Sequence, residues 1–168
     1  MAFPAGPQPG NYGVSHGSGM VGELIRRATE SWAGHAFIYV GAGMIVEGAP
    51  PATRKVPAAS HPDAVWNLNE PLTGDQRTAI IHRADALVGT PYDYAAYIGF
   101  ALEVTGITTG KGLAPEFRRD KYRVCSADVA DAYSFAGIDL TAGLKYPNLV
   151  SPASLYDRIA QQNGAAVP

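Results

Sequence analysis

The chain has 168 residues, 46% of them hydrophobic, and a formal net charge of −2. That length and apolar content predict one compact domain with a real core, and the near-neutral balance argues against a nucleic-acid binder. The single cysteine excludes an internal disulfide, and no apolar run reaches the roughly 20 residues of a membrane span.

The first ten residues, MAFPAGPQPG, are rich in glycine and proline and lack the charged and apolar regions of a secretory signal. They read as a flexible leader, residues 1–10, ahead of one domain over residues 11–168. Tyr12 to His16 form a short strand in this reading. Residues 19–31, GMVGELIRRATES, place Val21, Leu24, Ile25 and Ala28 on one side of an amphipathic helix. Residues 34–48, GHAFIYVGAGMIVEG, are two β-rich runs joined by a turn at Gly41-Ala42-Gly43, a hairpin signal. Residues 49–63 read as an irregular crossing loop, and Val65 to Asn69 as a further strand. Asp75 to Val88 read as a helix ending at Gly89. Residues 90–106 are mostly apolar with a proline near their start and predict another, largely buried helix. Residues 106–122 are polar and glycine-punctuated, hence a loop. After Cys125, the spacing of Val129, Tyr133 and Ala136 predicts a helix that stops at Gly137. Ser151 and Pro152 cap and open a last helix. Helices interleaved with strands that a hairpin joins antiparallel predict an α+β fold.

The one cysteine raises the question of chemistry. A helix N-terminus offers unpaired N–H groups and a partial positive charge, which favour a thiolate and can hold an oxyanion. A free cysteine is also a common core residue, and this stretch alone leaves both readings open. A nucleophile needs a base. His61 precedes a proline in a loop with no evident partner, His82 reads as a solvated helix residue, and the role of His16 is open. His35 begins a strand whose return partner carries Glu47. With a three-residue turn at Gly41–Gly43, residue 37 opposes residue 47, and His35 lies on the same face one pair away. That diagonal is within reach of a glutamate, whose carboxylate would fix one imidazole nitrogen and leave the other as base. A register slip would put Glu47 on the opposite face, and an edge glutamate in water is the plain alternative. The four histidines show no paired ligand spacing and there is one thiolate, so neither a zinc site nor any cofactor is expected.

Four stretches in order, LIRRATESWAGHAFIYVGAGMIVEGAP, LVGTPYDY, YRVCSADVADAYSFAGIDL and YPNLVSPASLY, give the chain its resemblance. It resembles the circularly permuted, YiiX-like branch of the NlpC-type papain-like cysteine hydrolases, from roughly residue 10 to residue 160. The resemblance implies a permuted papain-like fold, with a small antiparallel sheet or partial barrel packed against helices that include the nucleophile helix. It also implies Cys125 as nucleophile, His35 as base and Glu47 as the orienting group. The departures are Asn11 where the family has Asp, Gly34 where it has Ser, and Ala127 where it often has Glu, with Asp128 one step on. Asp128 would suit a helix N-terminus but would oppose a thiolate that it faced.

Relatives of this kind cleave amide bonds in bacterial cell-wall peptides, which makes such a peptide, or another acyl-amide, the expected substrate. Lipid acyl transfer, with Tyr97 to Val104 as an apolar rim, and a non-catalytic interaction module are the alternatives. Lys111, Arg118, Arg119, Lys121 and Arg123 precede the cysteine, and of these Arg118, Arg119 and Arg123 are the candidate contacts to substrate carboxylates. Read alone, they are an ordinary solvated loop. Lacking a signal or a span, the chain is expected in the cytoplasm of its producing cell, or released or virion-associated if phage-encoded.

Overall fold

In the computed structural model, five strands form one antiparallel sheet, ordered β4-β3-β2-β1-β5. They are β1 Tyr12–Ser15, β2 His35–Gly41, β3 Met44–Glu47, β4 Arg54–Pro57 and β5 Val65–Trp66. Among the described residues, four helices accompany them: α1 Gly19–Thr29, α2 Gly74–Leu87, α3 Cys125–Phe135 and α4 Pro152–Gln162. The structure describes residues 6–92, 125–142 and 150–164. The helix expected over 90–106, the loop expected over 106–122 and Lys111, Arg118, Arg119, Lys121 and Arg123 therefore fall almost wholly outside the described residues. The architecture is α+β, an open antiparallel sheet with helices.

Local chemistry explains the boundaries. A capping box starts α2, with the Thr73 side chain accepting from the Gln76 N–H and the Gln76 side chain accepting from the Thr73 N–H. Ser151 and Ser154 make the same reciprocal pair at α4, where Pro152 opens the helix. The β2–β3 turn differs from the expected three-residue form. Gly41 pairs with Met44, so the turn is Ala42-Gly43, both at positive φ (51° and 74°), as a primed two-residue turn requires. A bulge between Tyr39 and Gly41 absorbs the extra residue, and the pairing of Phe37 with Glu47 is as expected.

Residues 49–63 are not the irregular loop expected from their prolines and alanines. They contain β4 and a 3-10 turn, Ala58–Ser60. Backbone pairing with β3 outweighs the weak strand character of this exposed edge, and Glu47 faces Arg54 across it. The last strand is shorter than expected because Asn67 leaves the ladder, its side chain accepting from the Tyr12 N–H at 2.7 Å. At the other end, Gln8 to Gly10, expected within a loose leader, are held by the sheet. Gly10 N–H donates to the Tyr39 carbonyl at 2.8 Å, and Arg77 donates to the Pro9 carbonyl at 2.8 Å.

One sheet face carries Tyr12, Val14, Ala36, Ile38 and Val46 into a core with Ile80 and Ala84 of α2, Val129, Ala132 and Tyr133 of α3, and Leu155 and Ile159 of α4. The alternate residues of β2, Phe37 and Tyr39, point to the other face. There Phe37 packs edge-on against Trp66 at 5.3 Å. Gly13 lies beneath them, and a Cβ on it would come within 2.6 Å of Phe37 and 2.7 Å of Trp66. The start of β2, the end of β3 and the first turn of α3 meet at one edge of this arrangement, where His35, Glu47 and Cys125 gather.

Candidate active site

The hairpin register places Glu47 opposite Phe37, with His35 one pair away on the same face. His35 Nε2 lies 2.7 Å from Glu47 Oε2. A carboxylate only accepts, so this nitrogen carries the proton and the bond is a donation from His35. The remaining ring nitrogen, Nδ1, is left for Cys125, which favours the protonated ring.

The electrostatics follow from that placement. Burial pushes the His35 imidazolium down, but its interactions with Cys125 and Glu47 outweigh burial and raise it to about 9. Burial acts on Glu47 in the opposite sense, raising it. Hydrogen bonds from His35 and His61, and then from Arg54, overcome that effect and hold the carboxyl well below its usual range. The Arg54 guanidinium grips Oε1 at 2.9 Å from Nε and 2.8 Å from its terminal nitrogen.

Cys125 begins α3, as its sequence context predicts, and is buried, 2% exposed, against Val21 and Ile25 of α1. Gly48 determines how closely the hairpin approaches it. A Cβ on Gly48 would lie 2.8 Å from Asp128 Oδ2 and 3.1 Å from Cys125 Cα. Asp128 is also buried and accepts from Thr53 Oγ1 at 2.7 Å, so a neutral donor on the chain leading to β4 takes up its carboxylate. A cleft of about 230 Å³ opens beside the site, lined by Val21 and Gly22 of α1, by His35, Glu47, Arg54 and His61, and by Tyr92.

His61 is the correction here. Expected to lack a partner, its Nε2 reaches the same Glu47 Oε2, also at 2.7 Å. Its ring stacks on Phe37 (4.6 Å, 24°), and Ser15 Oγ lies 3.3 Å from its Nδ1. The sequence carries no signal for this, because a histidine before a proline in an unstructured stretch has no register. Arg54 was missed with its strand. Ligand spacing in the sequence fails for the same reason: His35, Glu47 and His61 each offer a ligand atom within 4.8 Å of the others. His82 is exposed, as expected, and stacks on Phe135 at 6.2 Å. His16 contributes its backbone, its N–H donating to Asp63 and its carbonyl accepting from Arg26. Two departures from the family pattern have local reasons. A Cβ on Gly34 would come within 2.4 Å of the His16 carbonyl oxygen, and Asn11 is buried with both ends of its amide bonded, to Gln8 N–H and the Asn67 carbonyl.

No family model matches the chain, and no curated protein sequence matches it. Among solved structures it is similar to the crystal structure of the metalloprotein YiiX from Escherichia coli O157:H7, a DUF1105 protein. The TM-score is 0.57 at 18% identity, over 96% of this chain and 85% of that one, and at such identity the shared property is the fold.

Proposed function

We propose that the chain is a thiol hydrolase of permuted papain-like type, with Cys125 as nucleophile, His35 as base and Glu47 as the group that orients His35. The observation that supports this reading is the 2.7 Å bond of His35 Nε2 to Glu47, at a site where Cys125 also favours the imidazolium of His35. In the reaction, His35 Nδ1 takes the thiol proton and the thiolate attacks a carbonyl carbon. The backbone N–H at the start of α3 receives the oxyanion, His35 protonates the leaving amine, and water then cleaves the thioester. Cys125 is buried, with Val21 and Ile25 of α1 among the side chains packed on it.

An amide in a cell-wall peptide is the proposed substrate, with Arg118, Arg119 and Arg123 as contacts to its carboxylates. The test incubates the protein separately with muropeptides and phospholipid vesicles, with Cys125→Ala as control, and follows new amines or freed fatty acids by mass spectrometry. Cysteine-dependent release of stem fragments is expected. Fatty-acid release without stem cleavage moves the assignment to lipid acyl transfer, and release of neither under cysteine control removes the hydrolase reading.

A second reading is a divalent transition-metal site at His35, Glu47 and His61. The convergence of their ligand atoms favours it, and the YiiX neighbour is described as a metalloprotein. Two imidazoles and a carboxylate suit zinc and related ions, which would supply a Lewis acid; the Arg54 cation on the same carboxylate opposes it. Titration of chelator-treated protein with Co²⁺, followed by its visible absorption, decides the matter. A stoichiometric band lost in His61→Ala supports the site, and no band at micromolar Co²⁺ eliminates it.

A further inference from the structure

We propose that His61 is a positioning residue that clamps the Glu47 carboxylate and acts on Cys125 only through Glu47 and His35. The inference rests on the thiol-hydrolase reading and adds a fourth side chain to its machinery.

Glu47 Oε2 accepts from two imidazoles at the same distance, 2.7 Å, while Arg54 occupies Oε1. Arg54 is half exposed, and its side chain alone is a soft restraint. His61 is held far more firmly. Its ring lies on Phe37, the residue that pairs with Glu47 in the sheet, and Ser15 sits at its second nitrogen. With Nε2 donating to Glu47, a neutral His61 has Nδ1 as an acceptor, which the Ser15 hydroxyl serves. The turn that carries it is tied back by His61 N–H to the Ala58 carbonyl and by Asp63 to the His16 N–H. His61 therefore fixes the rotation of the carboxylate and aims Oε2 at His35. Among the described residues, the charged and titratable groups around His35 are Glu47 on β3, Cys125 on α3 and His61, with Arg54 of β4 behind Glu47 and Tyr92 lining the same cleft. Arg26 of α1 lies beside Gly34 and is engaged by the His16 and Gly17 carbonyls and Glu23.

The test compares wild type with His61→Leu, which keeps an apolar body against Phe37 but has no donor, and with His61→Gln, whose amide N–H can still reach Glu47. Two quantities are read on chelator-treated protein: the rate of Cys125 alkylation by iodoacetamide against pH, and the titration of the His35 ring by NMR. In His61→Leu, the alkylation advantage at pH 6 should fall about tenfold. The rate–pH profile should approach that of a small free thiol, and the His35 titration should move to lower pH. His61→Gln should recover most of both. Adding His61→Leu to Glu47→Gln should cost nothing further, since the effect passes through Glu47. Should the leucine variant fail to fold, His61→Phe replaces it. An unchanged profile and an unchanged His35 titration in the donorless variant overturn the proposal, whatever happens to its melting temperature. If Cys125 is unreactive in folded wild type while the His35 titration still moves on loss of the donor, the hydrolase reading fails and the clamp stands.

Discussion

Glu47 is almost fully buried and has donors on both oxygens, two imidazoles on Oε2 and a guanidinium on Oε1. Glutamine cannot satisfy that set, because its NH2 group must face either the imidazoles or Arg54, donor against donor. Glu47→Gln should therefore lower Cys125 alkylation at pH 6 by an order of magnitude or more. Glu47→Ala should be worse, leaving three donors around an empty buried space. Alkylation rates at wild-type level in both variants would take Glu47 out of the site. At this scale the sequence was legible where two residues share a hairpin. His35 and Glu47 follow from alternation and one turn, and the bulge at Val40 left their pairing intact. His61 was illegible because its place depends on the Phe37 ring and on a turn anchored to β1, and neither leaves a periodic trace.

Among elements, the contact that matters most is the hairpin end against the first turn of α3, where Gly48 leaves no room for a side chain. The other face of Cys125 is covered by α1 through Val21 and Ile25. Ile25→Ala should loosen that cover. Cys125 alkylation should rise several-fold at fixed pH, while stability falls by about 2–4 kcal/mol, as for a buried isoleucine replaced by alanine. Slower or unchanged alkylation would show that reagent reaches the sulfur by another route. The helices were readable from caps and periodicity: Ser151 with Pro152, apolar spacing after Cys125, Gly137 as a stop. Strand β4 was not, because an edge strand with three exposed residues of four shows no alternation, and only its pairing with β3 gives it form. Arg54 reached the site through that pairing, so missing the strand meant missing the residue.

For the molecule as a whole, the paired charges make stability depend on pH with a definite sign. His35 is raised from 6.5 to about 9, so its contribution is complete below pH 6.5 and is lost as pH rises through 9. Glu47 is lowered from 4.5, so its contribution is complete above that pH and is lost as pH falls through its depressed folded value. Thermal melts across pH should place the maximum between about 4.5 and 6.5. His35→Gln should remove the decline between 6.5 and 9 and match wild type above it. A decline of the same size in both proteins would assign it to other groups. The α+β class was legible from the order of elements alone; the approach of α3 to the hairpin was legible only through the resemblance, since no local rule joins residues so far apart in the chain. That separation also has a consequence for the chain during its synthesis. The hairpin with His35 and Glu47 emerges from the ribosome well before Cys125 exists, and the cysteine meets its histidine only when α3 docks beside the hairpin. On the thiol-hydrolase reading proposed above, a misfolded copy with α3 undocked would carry an ordinary thiol without a base, and completion of the fold would be the step that arms the site.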